Sequence, residues 1–158
     1  MRPVKLRHFT PDEFARPTGD WYQHMSAGHL VRIDILRDWW GAPISTSGHR
    51  DAVGREDDSN SYHNIRKHGI VRACDYRPSG IKTVSEARRF FLLAQQVGFK
   101  GIGFYPDWST PGFHLDDRPE NHLSTWGGLL VQQPDGRHTT EYVSIEHAFE
   151  HCRRLTNG

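Results

Sequence analysis

At 158 residues the chain is the size of one ordinary domain, long enough to bury most of its apolar surface without help from disulfides. Twenty Lys and Arg against nineteen Asp and Glu leave a formal charge of +1, which calls for neither a nucleic-acid nor a membrane partner. Cys74 and Cys152 lie far apart and outside any CxxC spacing, which excludes a disulfide framework and suits a reducing cytosol.

The first helix signal is Thr10-Pro11-Asp12-Glu13, a capping box with proline at the first helical position, leading into Phe14. A second helix begins near Ser26, carries Leu30, Ile33, Leu36 or Arg37, and Trp40 at helical spacing, and stops at Gly41 before Pro43. Ile44 to Ser47 reads as a brief strand. From Gly48 to about Lys67 the chain is polar, with almost no aliphatic residues, and a structureless loop of about 20 residues in a compact domain points to function. Ile70 to Tyr76 is a strand stopped by Arg77-Pro78-Ser79-Gly80. Thr83 to Glu86 is a second capping box, opening a helix with Ala87, Phe90, Phe91, Ala94 and Val97 on one face and Gly98 as its stop. Gly101 to Tyr105 and Gly112 to Asp116 are strands. Leu129 to Gln133 and Thr139 to Val143 flank the hairpin signature Pro134-Asp135-Gly136-Arg137. Ser144 caps a last helix with Ile145, Ala148, Phe149 and Cys152 inward. This order predicts a single α+β domain, a mostly antiparallel sheet flanked by helices. Trp21, Trp39, Trp40 and Phe9 read as core aromatics.

No stretch approaches the roughly 18 apolar residues of a membrane span. The start, MRPVKLRHFTPDEF, lacks the apolar run of a secretory signal, so synthesis in the cytoplasm is the expectation. Eleven histidines in so small a domain invite a search for metal ligands.

Four segments carry chemistry: Ser47-Gly48-His49-Arg50, Ser61-Tyr62-His63-Asn64, Ala73-Cys74-Asp75 and Phe113-His114-Leu115-Asp116. A catalytic zinc needs three N or O ligands and one open position, a count that two histidines and one aspartate meet. Residues two apart in a strand share a face, which sets Asp75 opposite the core residue Cys74 and puts His114 beside Asp116. The Asp116 carboxylate is then placed either to orient a ligand or to accept a proton from water. His147 and His151, on the last helix, read as exposed surface histidines.

In order and spacing, these segments, with Phe9 to Phe14, Gly101 to Pro106 and the downstream Trp126, resemble the zinc D-Ala-D-Ala carboxypeptidase family, especially its phage-borne members, over roughly residues 8 to 128. The resemblance implies one Zn2+ held by His63, Asp75 and His114, and hydrolysis of amide bonds in peptidoglycan stem peptides or cross-links. It implies Arg50 near the scissile carbonyl and Ser61 in the Ser-x-His motif; Trp108 and Trp126, which flank the proposed site, are with Tyr105 the candidates to line a substrate groove. The expected partner is a bacterial peptidoglycan peptide, reached from the host cytoplasm after release or as a virion component. Many relatives separate the first ligand histidine from the aspartate by seven positions; here His63 lies twelve before Asp75 and His68 seven before. His63 is preferred for its Ser-x-His-Asn context, with His68 as the alternative first ligand. Relatives often carry a base two or three residues before the last histidine, where this chain has Gly112 and Pro111, which leaves Asp116 and Asp107 as candidates. A silent zinc-binding virion or structural protein of the same fold is the alternative reading.

Overall fold

The computed structural model describes residues 4–158. A 3-10 turn at Pro11–Phe14, closed by the Thr10 and Glu13 capping box, leads into a two-residue ribbon, β1 (Ala15–Arg16) against β2 (Gly19–Asp20), and a second 3-10 turn at Trp21–His24. Helix α1 (Ala27–Trp40) starts where the Ser26 hydroxyl accepts the His29 N–H and ends where Gly41 takes a left-handed conformation at φ 80°. Leu36, not Arg37, completes its buried stripe. Strand β3 (Ile44–Thr46) follows, then a long polar segment carrying one short helix, α2 (Ile65–His68), then β4 (Ala73–Pro78) and α3 (Val84–Gln96). Strands β5 (Gly101–Tyr105), β6 (Gly112–Asp116), β7 (Ser124–Gln132) and β8 (His138–Val143) lead to α4 (Ile145–Glu150).

Six strands form one sheet in the order β3-β4-β6-β5-β7-β8, antiparallel throughout except for the parallel β5/β7 pair. The predicted α+β architecture is therefore the observed one. One face of the sheet sends Cys74, Tyr76, Ile102, Phe104, Phe113 and Leu115 into the core, where Phe90, Phe104, Phe113 and Phe149 meet with centroids 4.7–4.9 Å apart. Contacts of this kind contribute about 0.5–1.5 kcal/mol each beyond the area they bury. By strict alternation the opposite face carries Asp75, His114 and Asp116.

Several boundaries differ from the sequence reading. β7 begins at Ser124 rather than Leu129, because Ser124 to Gly127 pair in parallel with β5, and a Ser-Thr-Trp-Gly run gives no apolar signal for that pairing. β4 begins at Ala73; the preceding Val71 instead forms a bridge with Met25. The polar segment is not structureless, since it contains α2. Trp39 is half exposed, unlike Trp21, Trp40 and Phe9, and Cys152 lies beyond the end of α4 and only partly buried. Among the described residues, no helix is long and apolar enough to cross a membrane.

Candidate metal centre

Asp75 and His114 are register partners on the adjacent strands β4 and β6, so sheet pairing alone sets their side chains together on one face. The third member arrives from the polar segment. Its approach is fixed by backbone bonds from Arg55 N–H to the His63 carbonyl at 3.0 Å and from Arg72 N–H to the Tyr62 carbonyl at 2.9 Å. Asn64 organises the turn: it caps α2, and its side-chain amide donates to the carbonyls of Asp57 and Ser59, each at 2.8 Å. The near-total burial of Asn64 reflects this wiring, which its place after His63 in the motif does not announce.

His63, Asp75 and His114 are all buried, and among the described residues they form the one group of three or more side chains able to hold a metal ion. His63 Nε2 lies 3.2 Å from His114 Nδ1, and each of these nitrogens lies 3.3 Å from Asp75 Oδ1. A tetrahedral ion bound at about 2.0–2.1 Å sets its ligands about 3.3–3.4 Å apart, so the triangle has the size of one face of such a site. The outer nitrogens are spoken for. His63 Nδ1 donates to the Val53 carbonyl at 2.7 Å, and His114 Nε2 faces Asp116 Oδ2 at 2.7 Å. Those bonds turn a lone pair of each ring toward Asp75 Oδ1, and three lone pairs aimed at one point are favourable only with a positive charge between them. The same preference appears in His114: burial alone would lower its pKa, but bonds to Asp116 and Asp75 outweigh burial and raise it to about 9. Asp75 is held well below the usual carboxylate range, since the surrounding histidines outweigh the cost of its burial. The residues therefore fit a divalent cation.

Asp116 is fully buried, and its oxygens are already engaged. Besides His114, it accepts from the Arg118 backbone N–H at 3.1 Å and from Arg118 Nε and Nη2 at 2.8 and 2.7 Å. Burial opposes ionisation, but these donors hold Asp116 far below the usual carboxylate range. Arg118 in turn packs over the rings of Tyr62 and Trp126, at 4.8 and 5.5 Å, tying the loop, β6 and β7 together. Two glycines of β5 make room on this face. A Cβ at Gly101 would lie 2.1 Å from Asp116 Oδ2, and one at Gly103 2.4 Å from the Trp126 indole nitrogen.

The triad opens on a cavity of about 280 Å3 lined also by Arg55, Ser61, Tyr105, Trp126 and Tyr142. Across Asp75, Tyr105 and Tyr142 it adjoins a groove of about 470 Å3 that contains His49, Arg77, Asp107 and Trp108. Tyr105 stacks on Trp108 with centroids 4.4 Å apart and accepts the Trp126 indole N–H at 2.8 Å, while burial pushes its phenol pKa up. Ser61 Oγ accepts the His63 N–H at 3.3 Å. A larger cavity, about 850 Å3, lies elsewhere, along β7, β8 and α4. It holds His147 and His151, exposed as expected and stacked on each other at 3.9 Å.

The structure thus brings together His63, Asp75, His114, Asp116, Ser61, Tyr105 and Trp126. It does not bring His68 in: that ring stacks on Tyr62 at 4.5 Å and its Nε2 faces the Asn60 carbonyl. Arg50 is exposed and outside the cavity lining, and the arginine found there is Arg55. Asp107 stands in the neighbouring groove with Oδ2 accepting the Leu130 N–H at 2.9 Å. Arg55, His49 and Arg118 have no role expected from the sequence. His49 Nε2 lies 2.9 Å from Asp75 Oδ2, and Arg118 clamps Asp116; the signal for His49 was its place beside Arg50 in a segment already singled out. Comparison with family models, with curated proteins and with solved structures finds no match to the chain.

Proposed function

We propose that this chain is a zinc metallopeptidase that hydrolyses amide bonds of peptidoglycan peptides, with His63, Asp75 and His114 as ligands. The observation that carries the reading is the buried triangle of donor atoms, 3.2–3.3 Å on each side, at the foot of an open cavity. When bound, zinc supplies Lewis acidity toward a scissile carbonyl and lowers the pKa of a water. Arg55, on the cavity wall, offers its guanidinium to the negative charge that develops on the carbonyl oxygen, the role expected of Arg50. The Tyr105 phenol, kept protonated by its burial, presents a second polar group to the same cavity. Asp116, with its oxygens committed to Arg118 and His114, orients His114 rather than taking a proton. Apart from Asp116, His49 is the one titratable side chain outside the triad that bonds to a ligand residue among the described residues: its Nε2 donates to Asp75 Oδ2, which leaves its Nδ1 for the acceptor role.

A second reading has its own observation: among the described residues of the cavity, Asp75 is the only carboxylate, so a scaffold that binds zinc without turnover, as a virion or structural protein, accounts for the same triangle. One experiment separates the two. Metal analysis of the purified protein is paired with digestion of whole sacculi and mass spectrometry of the fragments, for the wild type, His114→Ala and His49→Gln. The peptidase reading expects one zinc per chain and released peptides for the wild type, neither for His114→Ala, and zinc with much reduced release for His49→Gln. Stoichiometric zinc in His114→Ala would remove the site itself.

A further inference from the structure

An open sheet ends in two edge strands, and an edge with unpaired N–H and C=O groups is a template for another strand. In the order β3-β4-β6-β5-β7-β8 the edges are β3 and β8. The β3 edge is guarded: the strand has three residues, the Thr46 hydroxyl donates to the Glu13 carbonyl at 2.6 Å, and Arg16 donates to Thr46 Oγ1 at 2.9 Å and to the Ser47 carbonyl. The β8 edge is six residues long, exposed from His138 to Tyr142, and carries no proline, lysine or bulge. The hairpin fixes which of its groups face outward. Gln133 N–H donates to the Arg137 carbonyl at 2.7 Å, so along the alternating ladder Thr139, Glu141 and Val143 bond to β7, while His138, Thr140 and Tyr142 turn both backbone groups away from it. Among the described residues none of these outward groups has a backbone partner, and Tyr142 is the most exposed large apolar side chain, at 68%.

We propose that β8 pairs with β8 of a second copy, antiparallel about a two-fold axis at Thr140, joining the two sheets edge to edge. This register uses every outward group: Thr140 meets its own copy and His138 meets the partner subunit's Tyr142 on either side of the axis, for about six hydrogen bonds. It also matches charge. On the other face Glu141 lies across from the partner's Thr139 and diagonal to the partner's Arg137, within reach of a long side chain. The register that sets Glu141 against its own copy brings like charges together and leaves His138 without a partner. Such a two-fold axis runs perpendicular to the sheet, so both triads open on the same side of the joined sheet. The partner subunit's His138 then stands beside the Tyr142 that lines each triad cavity. The pairing does not depend on the peptidase reading.

Sedimentation of the full chain over about a thousandfold range of concentration is expected to show a monomer passing to a dimer. Thr140→Pro removes an outward N–H and no bond to β7, and should weaken the dimer about ten- to a hundredfold, the scale of two lost backbone bonds. Cysteines read the register, each introduced with Cys152→Ser because Cys152 is a free, partly buried thiol. Residues facing each other in a bonded pair have Cα atoms about 5.5 Å apart, within disulfide range, so mild oxidation should link Thr140→Cys to its own copy and leave Thr139→Cys unlinked. A wild type that stays monomeric throughout, a dimer indifferent to Thr140→Pro, or linkage at Thr139→Cys as ready as at Thr140→Cys overturns the proposal. So does a monomer whose β8 amides gain protection from hydrogen exchange when a synthetic stem peptide is added, which gives the edge to an extended peptide instead. Should Thr140→Pro fail to fold, the wild-type sedimentation and the two cysteine variants decide.

Discussion

Replacing Asp116 by Asn keeps the shape of the side chain while removing the charge that Arg118 and His114 share. The carboxylate accepts from four donors, His114 Nε2 and the N, Nε and Nη2 atoms of Arg118, at 2.7–3.1 Å. An amide offers one acceptor oxygen and sets an NH2 group against the remaining donors. The Arg118 side chain, 15% exposed, then loses the one carboxylate it pairs with among the described residues. Removing one partner of a buried pair costs about 3–5 kcal/mol. In a chain of this length each kcal/mol moves the midpoint by about 2–4 °C, so the metal-free protein should unfold about 6–20 °C lower. Loss of the bond that orients His114 should weaken zinc binding by about ten- to a hundredfold. Competition with a fluorescent chelator reads the affinity, and thermal unfolding of the metal-free protein reads the stability. Activity should return when zinc is in excess. An Asp116→Asn protein with normal affinity and midpoint but turnover reduced a hundredfold would refute this reasoning and make Asp116 the proton acceptor.

The two candidate first ligands are separable by substitution: His63→Ala should lose zinc on dialysis, while His68→Ala, which removes only a ring stacked on Tyr62, should retain it, as metal analysis would show. Gly101→Ala places a methyl group 2.1 Å from Asp116 Oδ2, so it should cost about 1–3 kcal/mol in denaturant unfolding and weaken zinc binding together with stability. His29, on α1, supplies a further pH dependence: its Nδ1 donates to the Arg72 carbonyl at 2.9 Å, its Nε2 accepts from the Tyr76 hydroxyl at 2.6 Å, and burial lowers its pKa to about 3. The unfolded chain takes up this proton near pH 6.5 and the folded chain does not, so its contribution is intact above about pH 6.5 and is lost by roughly 1.4 kcal/mol per unit as pH falls toward 3. Urea unfolding between pH 7 and 4 should show a shallower slope for His29→Gln than for the wild type, and equal slopes would count against the assignment.

Local signals read well where the backbone itself dictates them. The capping boxes at Thr10 and Thr83, the glycine stop at Gly41 and the alternation through Gly112 to Asp116 each depend on neighbours in sequence, and the structure keeps all four. The strand face shared by Asp75 and Ala73 was legible for the same reason. The parallel β5/β7 pair was not, because its first four residues on β7 carry no apolar period, and the pairing is decided by partners more than twenty residues away. Arg118 escaped for a related reason. Its contacts to Tyr62 and Trp126 come from other elements, and although Asp116 lies only two residues back, the turn after β6 that folds Arg118 onto it leaves no apolar or capping signal.

The twelve-residue spacing between His63 and Asp75 finds a physical account in how the two residues are held. Asp75 is fixed by the sheet, through its pairing with His114, while His63 is fixed by the Val53 carbonyl, the Asn64 turn and the Arg55 bridge. None of these constraints runs along the chain from one ligand to the other. The intervening residues are free to form α2, ended by Gly69 at φ 74°, and to return through Val71 beside Met25. The cost of a few extra loop residues grows only with the logarithm of loop length, far less than the loss of any one bond that orients the ring. Sequence context around the histidine, which specifies those bonds, is therefore a better guide to which histidine joins the candidate site than its distance from the aspartate.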